Sequence, residues 1–253
     1  MLTFLRRIVA AALLCAPTVL VGQEPVPANG AAVLERMRAA YDGKWYHTLT
    51  FAQKTTTFGK DGTKRFQSWR ESLRHTSAGT QLRIDVGDAA NGNGMLYTAD
   101  SSWRFAAGKL AKHDADGNAF LPLIEGVYVQ PVTKTVAELA PTRVDLGKVR
   151  AGSWMGKPVW VVGTTAASDT TSPQFWVDVE RQVVVRFIVQ FSVGGDAYDV
   201  HLDDYVKAGG GMIATRVTMS AKGSPVQIED YADWRVDVPL SDSVFDIKNW
   251  IHP

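Results

Sequence analysis

The residues that could do chemistry in this chain are sparse and poorly spaced for it. Lys112-His113-Asp114-Ala115-Asp116-Gly117-Asn118 has the carboxylate and amide density of a calcium loop. The EF-hand pattern places glycine sixth, after alternating oxygen ligands, whereas Gly117 comes fourth counted from Asp114. A hairpin turn accounts for the segment better. His201 and Asp203 share one strand face, but His47, His75, His113 and His252 are scattered without paired ligand spacing, so no metal site is expected. Gly152-Ser153-Trp154-Met155-Gly156 lacks the Gly-x-Ser-x-Gly order of a nucleophile elbow and reads as a hairpin. Asn91–Gly94 and Gly209–Gly211 do not open a helix after a strand, as a phosphate-binding loop must. Asp203 and Asp204 are adjacent carboxylates, yet neighbours on a strand point to opposite faces. The expectation is a protein with no catalytic residue and no cofactor.

Compartment is clearer than chemistry. Arg6-Arg7 precedes the short apolar run 8–21, the charged-then-apolar order of a secretory signal peptide, with cleavage expected after Gly22 and a Pro-containing spacer at 23–28. A transmembrane helix needs about 20 apolar residues, and this run falls short. The only cysteine, Cys15, lies in this leader, and Leu14 is too large for the position before a lipidated cysteine. The mature chain would then have no thiol for disulfides, nucleophilic catalysis or metal binding. Loss of Arg6 and Arg7 leaves 25 basic against 26 acidic residues, which is no footprint for nucleic acid. A soluble periplasmic protein follows, with residues 29–253 as one domain.

The elements that would position any site are mostly strands. Val33, Leu34, Met37 and Tyr41 recur at helical spacing after Asn29, a good N-cap, and before Asp42-Gly43, a good stop. The pattern then turns to period two with β-branched and aromatic enrichment. It predicts strands at 46–58, 64–76, 81–86, 95–98, 102–106 and 110–113. More follow at 143–149, 157–164, 174–179, 183–192, 197–205, 212–220 and 226–236. Between the two sets, the apolar segment 120–131 and the helical spacing of Val132, Val136 and Leu139 predict a second helical element, stopped by Pro141. Short Gly-rich turns at 59–62, 77–79, 107–109 and 208–211 force antiparallel neighbours.

One face of this meander is apolar over a long distance. Val183, Val185, Phe187, Val189 and Phe191 alternate along one strand, and Tyr198, Val200 and Leu202 along the next. Ile213, Val217 and Met219, then Val226, Ile228, Ala232, Trp234 and Val236, extend the pattern. Such a face must meet a core, a lid or a ligand.

In this order the features resemble the LolA/LolB-like outer-membrane lipoprotein-sorting superfamily. The likeness rests on the helix from Val33 to Tyr41 leading into Leu49-Thr50-Phe51, on Pro173–Asp178 leading into Val184-Val185-Arg186, and on Tyr231 followed by the tail Pro239–Phe245. The resemblance implies a mainly β fold with a few helices (α+β): a curved antiparallel sheet of about eleven strands, forming an incomplete barrel capped by helices. It further implies a cavity for lipid or lipoprotein acyl chains. Val185, Phe187 and Val189 are the candidate cavity residues, with Phe51, Trp69 and Ile84 from earlier strands. Their inward orientation comes from alternation, so a shift of one residue would reverse it. The implied partners are acyl chains and an inner- or outer-membrane protein, with the chain itself a monomer. Alternative readings are an envelope sensor or assembly protein that docks proteins on the same sheet, and a secreted β-fold hydrolase with carboxylates converging in a cleft.

Overall fold

A computed structural model describes residues 24–251. The expected signal peptide 1–22, Cys15 and His252 lie outside these residues. Helix α1, Gly30–Ala40, is capped by the Asn29 side chain, which accepts from the Ala32 N–H. It buries Val33, Leu34 and Met37 as the spacing predicts. Gly30 is required where it stands: an added Cβ would lie 2.7 Å from Val162 Cγ1 and 2.8 Å from Leu146 Cδ2.

Six strands follow: β1 Thr48–Phe58, β2 Lys64–Thr76, β3 Gly79–Val86, β4 Gly94–Tyr97, β5 Ser102–Ala106 and β6 Lys109–Asp114. A helical segment then carries the chain across: a π-helical turn Pro122–Gly126, running into α2 Val127–Val129, and α3 Val132–Leu139. Seven further strands complete the sheet: β7 Val149–Trp154, β8 Lys157–Val162, β9 Gln174–Asp178, β10 Val184–Val189, β11 Tyr198–Ala208, β12 Gly211–Ala221 and β13 Ser224–Val236. All thirteen lie in one antiparallel sheet in the order β6-β5-β4-β3-β2-β1-β13-β12-β11-β10-β9-β8-β7, two strands more than the resemblance implied. Two hairpin meanders are therefore joined at a single seam, where β1 pairs with β13. The ends, β6 and β7, stay apart, so the sheet is not closed into a barrel.

Two expectations for the connections need correction. Lys112–Asn118 is not a hairpin: β6 ends at Asp114, and the chain leaves the sheet edge for the helices. The strand expected at 143–149 begins only at Val149, because Arg143 takes a left-handed conformation and Asp145 Oδ1 closes a turn on the Gly147 N–H. Gly152–Trp154 are strand residues, and the hairpin turn is Met155-Gly156, both at positive φ.

The main core lies between one face of the sheet and the helices, with Trp160, Phe175, Val161 and Val177 fully buried. A smaller core forms on the other face, where Leu96 and Phe105 meet Phe245 and Trp250 from the C-terminal tail. Arg83 ties that tail down. It is buried, pairs with Asp85, stacks under Trp250, and donates to the carbonyl oxygens of Val244 and Trp250.

The strict alternation read along β13 fails for a definite reason. The register between β1 and β13 shifts by one between Thr50 and Ala52, and Asp233 sits there at φ 54°, an extra residue in the left-handed region. Gln227, Glu229 and Tyr231 consequently face the interior before the bulge, whereas Trp234 and Val236 do so after it. Ile228 and Ala232, expected inside, lie on the opposite face, and Val226 falls at a second register shift, opposite Met219 and Ser220 of β12. A branched residue at 233 cannot adopt this conformation cheaply. Asp233→Val should therefore cost about 1–2 kcal/mol in urea unfolding while Asp233→Gly stays near neutral. Equal costs for both would show that the bulge is not held by its backbone conformation.

Candidate functional site

Beneath the helical segment the sheet encloses a cavity of about 290 Å³. Its wall draws on β4 at Met95 and Tyr97 and on β10 at Phe187, seven strand steps away in the sheet order. In a flat sheet those strands would stand about 34 Å apart at roughly 4.8 Å per step, so the sheet must curl strongly to bring them to one small space. A coincident distortion of β11 and β12 contributes: Asp204 has φ 54°, and the inward face passes from Leu202 to Tyr205 on one strand and from Val217 to Ala214 on the other. Because both strands change phase together, their pairing register is unbroken.

Four of the six residues expected at a cavity line this one: Phe51, Trp69, Ile84 and Phe187. Val185 and Val189 do not. Val185 is buried in the core at the irregularity between Val184 and Arg186. Val189, one pair farther out than Phe187, lines a more open outer cleft of about 760 Å³. Asn118 borders both spaces. Phe120 stands at the same boundary, edge-on to Phe187 at 5.4 Å and to the exposed Phe191 at 6.4 Å.

One acid ties the lid to the start of the sheet. Glu125, in the π-helical turn, accepts from Trp45 Nε1 at 3.0 Å and from the Tyr46 hydroxyl at 2.7 Å, and His75 Nε2 lies 3.4 Å from it. Trp45 stacks on Tyr128 at 3.8 Å, which joins the start of the sheet to α2. Burial, reinforced by the Glu125 charge, pushes the Tyr46 phenol well above its usual range, so it stays a donor.

The cavity wall also contains a polar patch that sequence reasoning missed. Glu71 lies on the apolar face of β2 between Trp69 and Leu73; that interruption was the available signal. Glu229 was hidden by the bulge at Asp233. It accepts from the Tyr231 hydroxyl at 2.7 Å and from Gln227 Nε2 at 2.5 Å. Burial raises the pKa of both carboxyls, and the Glu229 charge raises Glu71 further. Glu125 was likewise visible as a lone acid in an apolar stretch. Among the described residues no group of three or more His, Cys, Asp or Glu could hold a metal. His201 instead pairs with Asp199 at 3.1 Å and packs on Trp154.

The chain is thus an unclosed, curled antiparallel sheet with helices over a largely apolar interior. No family model matches the sequence, and no curated protein matches it. Solved structures do match its fold. A domain named for outer membrane lipoprotein sorting from Vibrio parahaemolyticus superposes with a TM-score of 0.59 at 12% identity, covering 88% of this chain and 98% of that one. A DUF1329 family protein from Desulfovibrio piger gives 0.57 at 15%, covering 86% and 95%. A LolA superfamily protein from Nitrosomonas europaea gives 0.50 at 15%, covering 86% and 97%. The fold of this chain is LolA-like.

Proposed function

We propose that this protein is a periplasmic carrier or binding protein for the acyl chains of a lipid or lipoprotein, with a role in outer-membrane lipoprotein sorting. The observation that carries this is the largely apolar cavity between a curled sheet and a helical lid. Its volume is about twice that of an apolar cavity of roughly 150 Å³ that admits benzene, and sits at the lower edge of ligand pockets. A longer chain requires the lid to move outward. Each buried methylene contributes about 0.8 kcal/mol, so affinity grows with chain length and needs no reactive group.

Other features fit this reading. Among the described residues no helix is long and apolar enough to cross a membrane. On this reading Glu71 and Glu229 serve as binding groups in the cavity wall. A filled interior would have favoured the protein-docking alternative. Residues 1–22 are the signal peptide on this reading, and a membrane protein would deliver or accept the guest.

The test is purification from envelope extract without detergent, with mass spectrometry of whatever accompanies the protein and titration with a fluorescent acyl probe. Phe187→Asp, which puts a charge in the cavity wall, should weaken probe binding by at least about tenfold with the fold intact. An empty protein that ignores the probe would overturn the proposal.

A further inference from the structure

We infer that the cavity selects amphiphiles bearing a positively charged, hydrogen-bond-donating amine, and that Glu71 and Glu229 receive that group. The inference rests on the acyl-binding reading above and specifies which end of the guest the protein reads.

It follows from an imbalance of charge. Glu71 is 5% exposed, lines the cavity, and makes no side-chain hydrogen bond among the described residues. No Lys or Arg bears on it; its surroundings are apolar side chains, the phenols of Tyr97 and Tyr231, and the second acid, Glu229. Across the seam, Gln53 of β1 stands opposite both Trp69 of β2 and Tyr231 of β13. Gln53 is 3% exposed, and its Oε1 has no partner. Its amide nitrogen donates to Thr55 Oγ1 at 2.8 Å, and its second N–H bears on Glu229. Trp69 Nε1, on the facing strand, also has no partner.

Two acids therefore face a largely apolar cavity whose lining contains no cation, and one of them has no hydrogen-bond partner among the described residues. A buried acceptor without a partner is costly, and a buried carboxylate without a cation is costlier still. An ammonium brings three N–H donors and a positive charge, and meets both deficits at once. A carboxylate headgroup would meet two acids, and an alcohol would supply a single donor and no charge. Burial raises the pKa of both carboxyls, as expected of acids that no cation in the cavity wall balances.

The experiment compares dodecylamine, dodecanol and dodecanoate, each below its micelle concentration, by calorimetric titration of the full mature chain near neutral pH. Dodecylamine should bind at least about tenfold more tightly than dodecanol, and dodecanoate most weakly. In Glu71→Gln/Glu229→Gln the amine preference should fall to less than about twofold while dodecanol binding persists, since the amides keep the shape and remove the charge. Circular dichroism confirms the fold, and single variants replace the double one if it is altered. Lysophospholipids with ethanolamine and glycerol headgroups form the second arm. A carboxylate-dependent preference for ethanolamine assigns the amine to a lipid headgroup, whereas preference for dodecylamine alone assigns it to a free amine. Dodecanol binding without an amine preference, or a preference that survives both substitutions, overturns this inference and leaves the acyl-binding reading standing. Failure of all three compounds to bind overturns both.

Discussion

Glu125→Ala will destabilise the protein by about 3 kcal/mol and release the helical lid before the sheet unfolds. The substitution strands two buried donors at once, Trp45 Nε1 and the Tyr46 hydroxyl, and each loss costs about 1–3 kcal/mol. Both are buried: Trp45 is 5% exposed and Tyr46 1%. The stack of Trp45 on Tyr128 then loses the bond that sets its angle. Glu125→Gln keeps one acceptor oxygen and should recover about half of the loss. Hydrogen exchange distinguishes a lid effect from general weakening. Amides in 120–139 should exchange faster in Glu125→Ala while those of β1, β2 and β13 keep their protection. Uniform acceleration across the chain would show that Glu125 supports the whole fold and has no special hold on the lid.

Glu71→Gln should have the opposite effect on stability, with a size that depends on pH. The native protein holds a proton on Glu71 to higher pH than the unfolded chain does, because burial and the Glu229 charge raise its pKa. Its contribution to stability is therefore intact below the unfolded-state value of about 4.3, and is lost as pH rises through the native value. Glutamine cannot ionise and escapes this loss. Wild type and variant should unfold alike in acid, and the variant should become more stable by about 1–3 kcal/mol at mildly alkaline pH. All other titrating groups are shared, so the difference between the two curves isolates this carboxyl. A gap that stays constant with pH would mean that Glu71 is already ionised in the native cavity.

The fold was legible in the sequence because most of its information is local. Period-two apolar spacing and short glycine turns specify hairpins, and hairpins in series specify a meander; all three C-terminal strands and α3 fall where the spacing places them. The long helical interruption between β6 and β7 was visible for the same reason. Site residues were legible only where alternation runs unbroken. Phe51, Trp69, Ile84 and Phe187 lie on such stretches. The failures cluster at backbone irregularities: Asp233 reverses β13 and hides Glu229, and the break beside Val185 removes that residue from the cavity wall. A bulge is set by the fit between two strands, so neither strand alone announces it. The polar patch escaped for another reason: an acid on an apolar face reads as noise until the neighbouring strands show what surrounds it.

The seam between β1 and β13 bears on how the chain reaches this state. Leu49 pairs with Val236, so the centre of the sheet joins positions from near the two ends of the domain. Each meander can zip from its own turns, but the seam must close a loop of nearly the whole chain before it gains a contact, which is slow by its topology. Until then both halves expose a bare strand edge and an apolar face, the condition in which chains pair with the wrong neighbour. The step that completes the cavity is thus the one that withdraws the chain from aggregation, and it cannot occur until the last strand has been made.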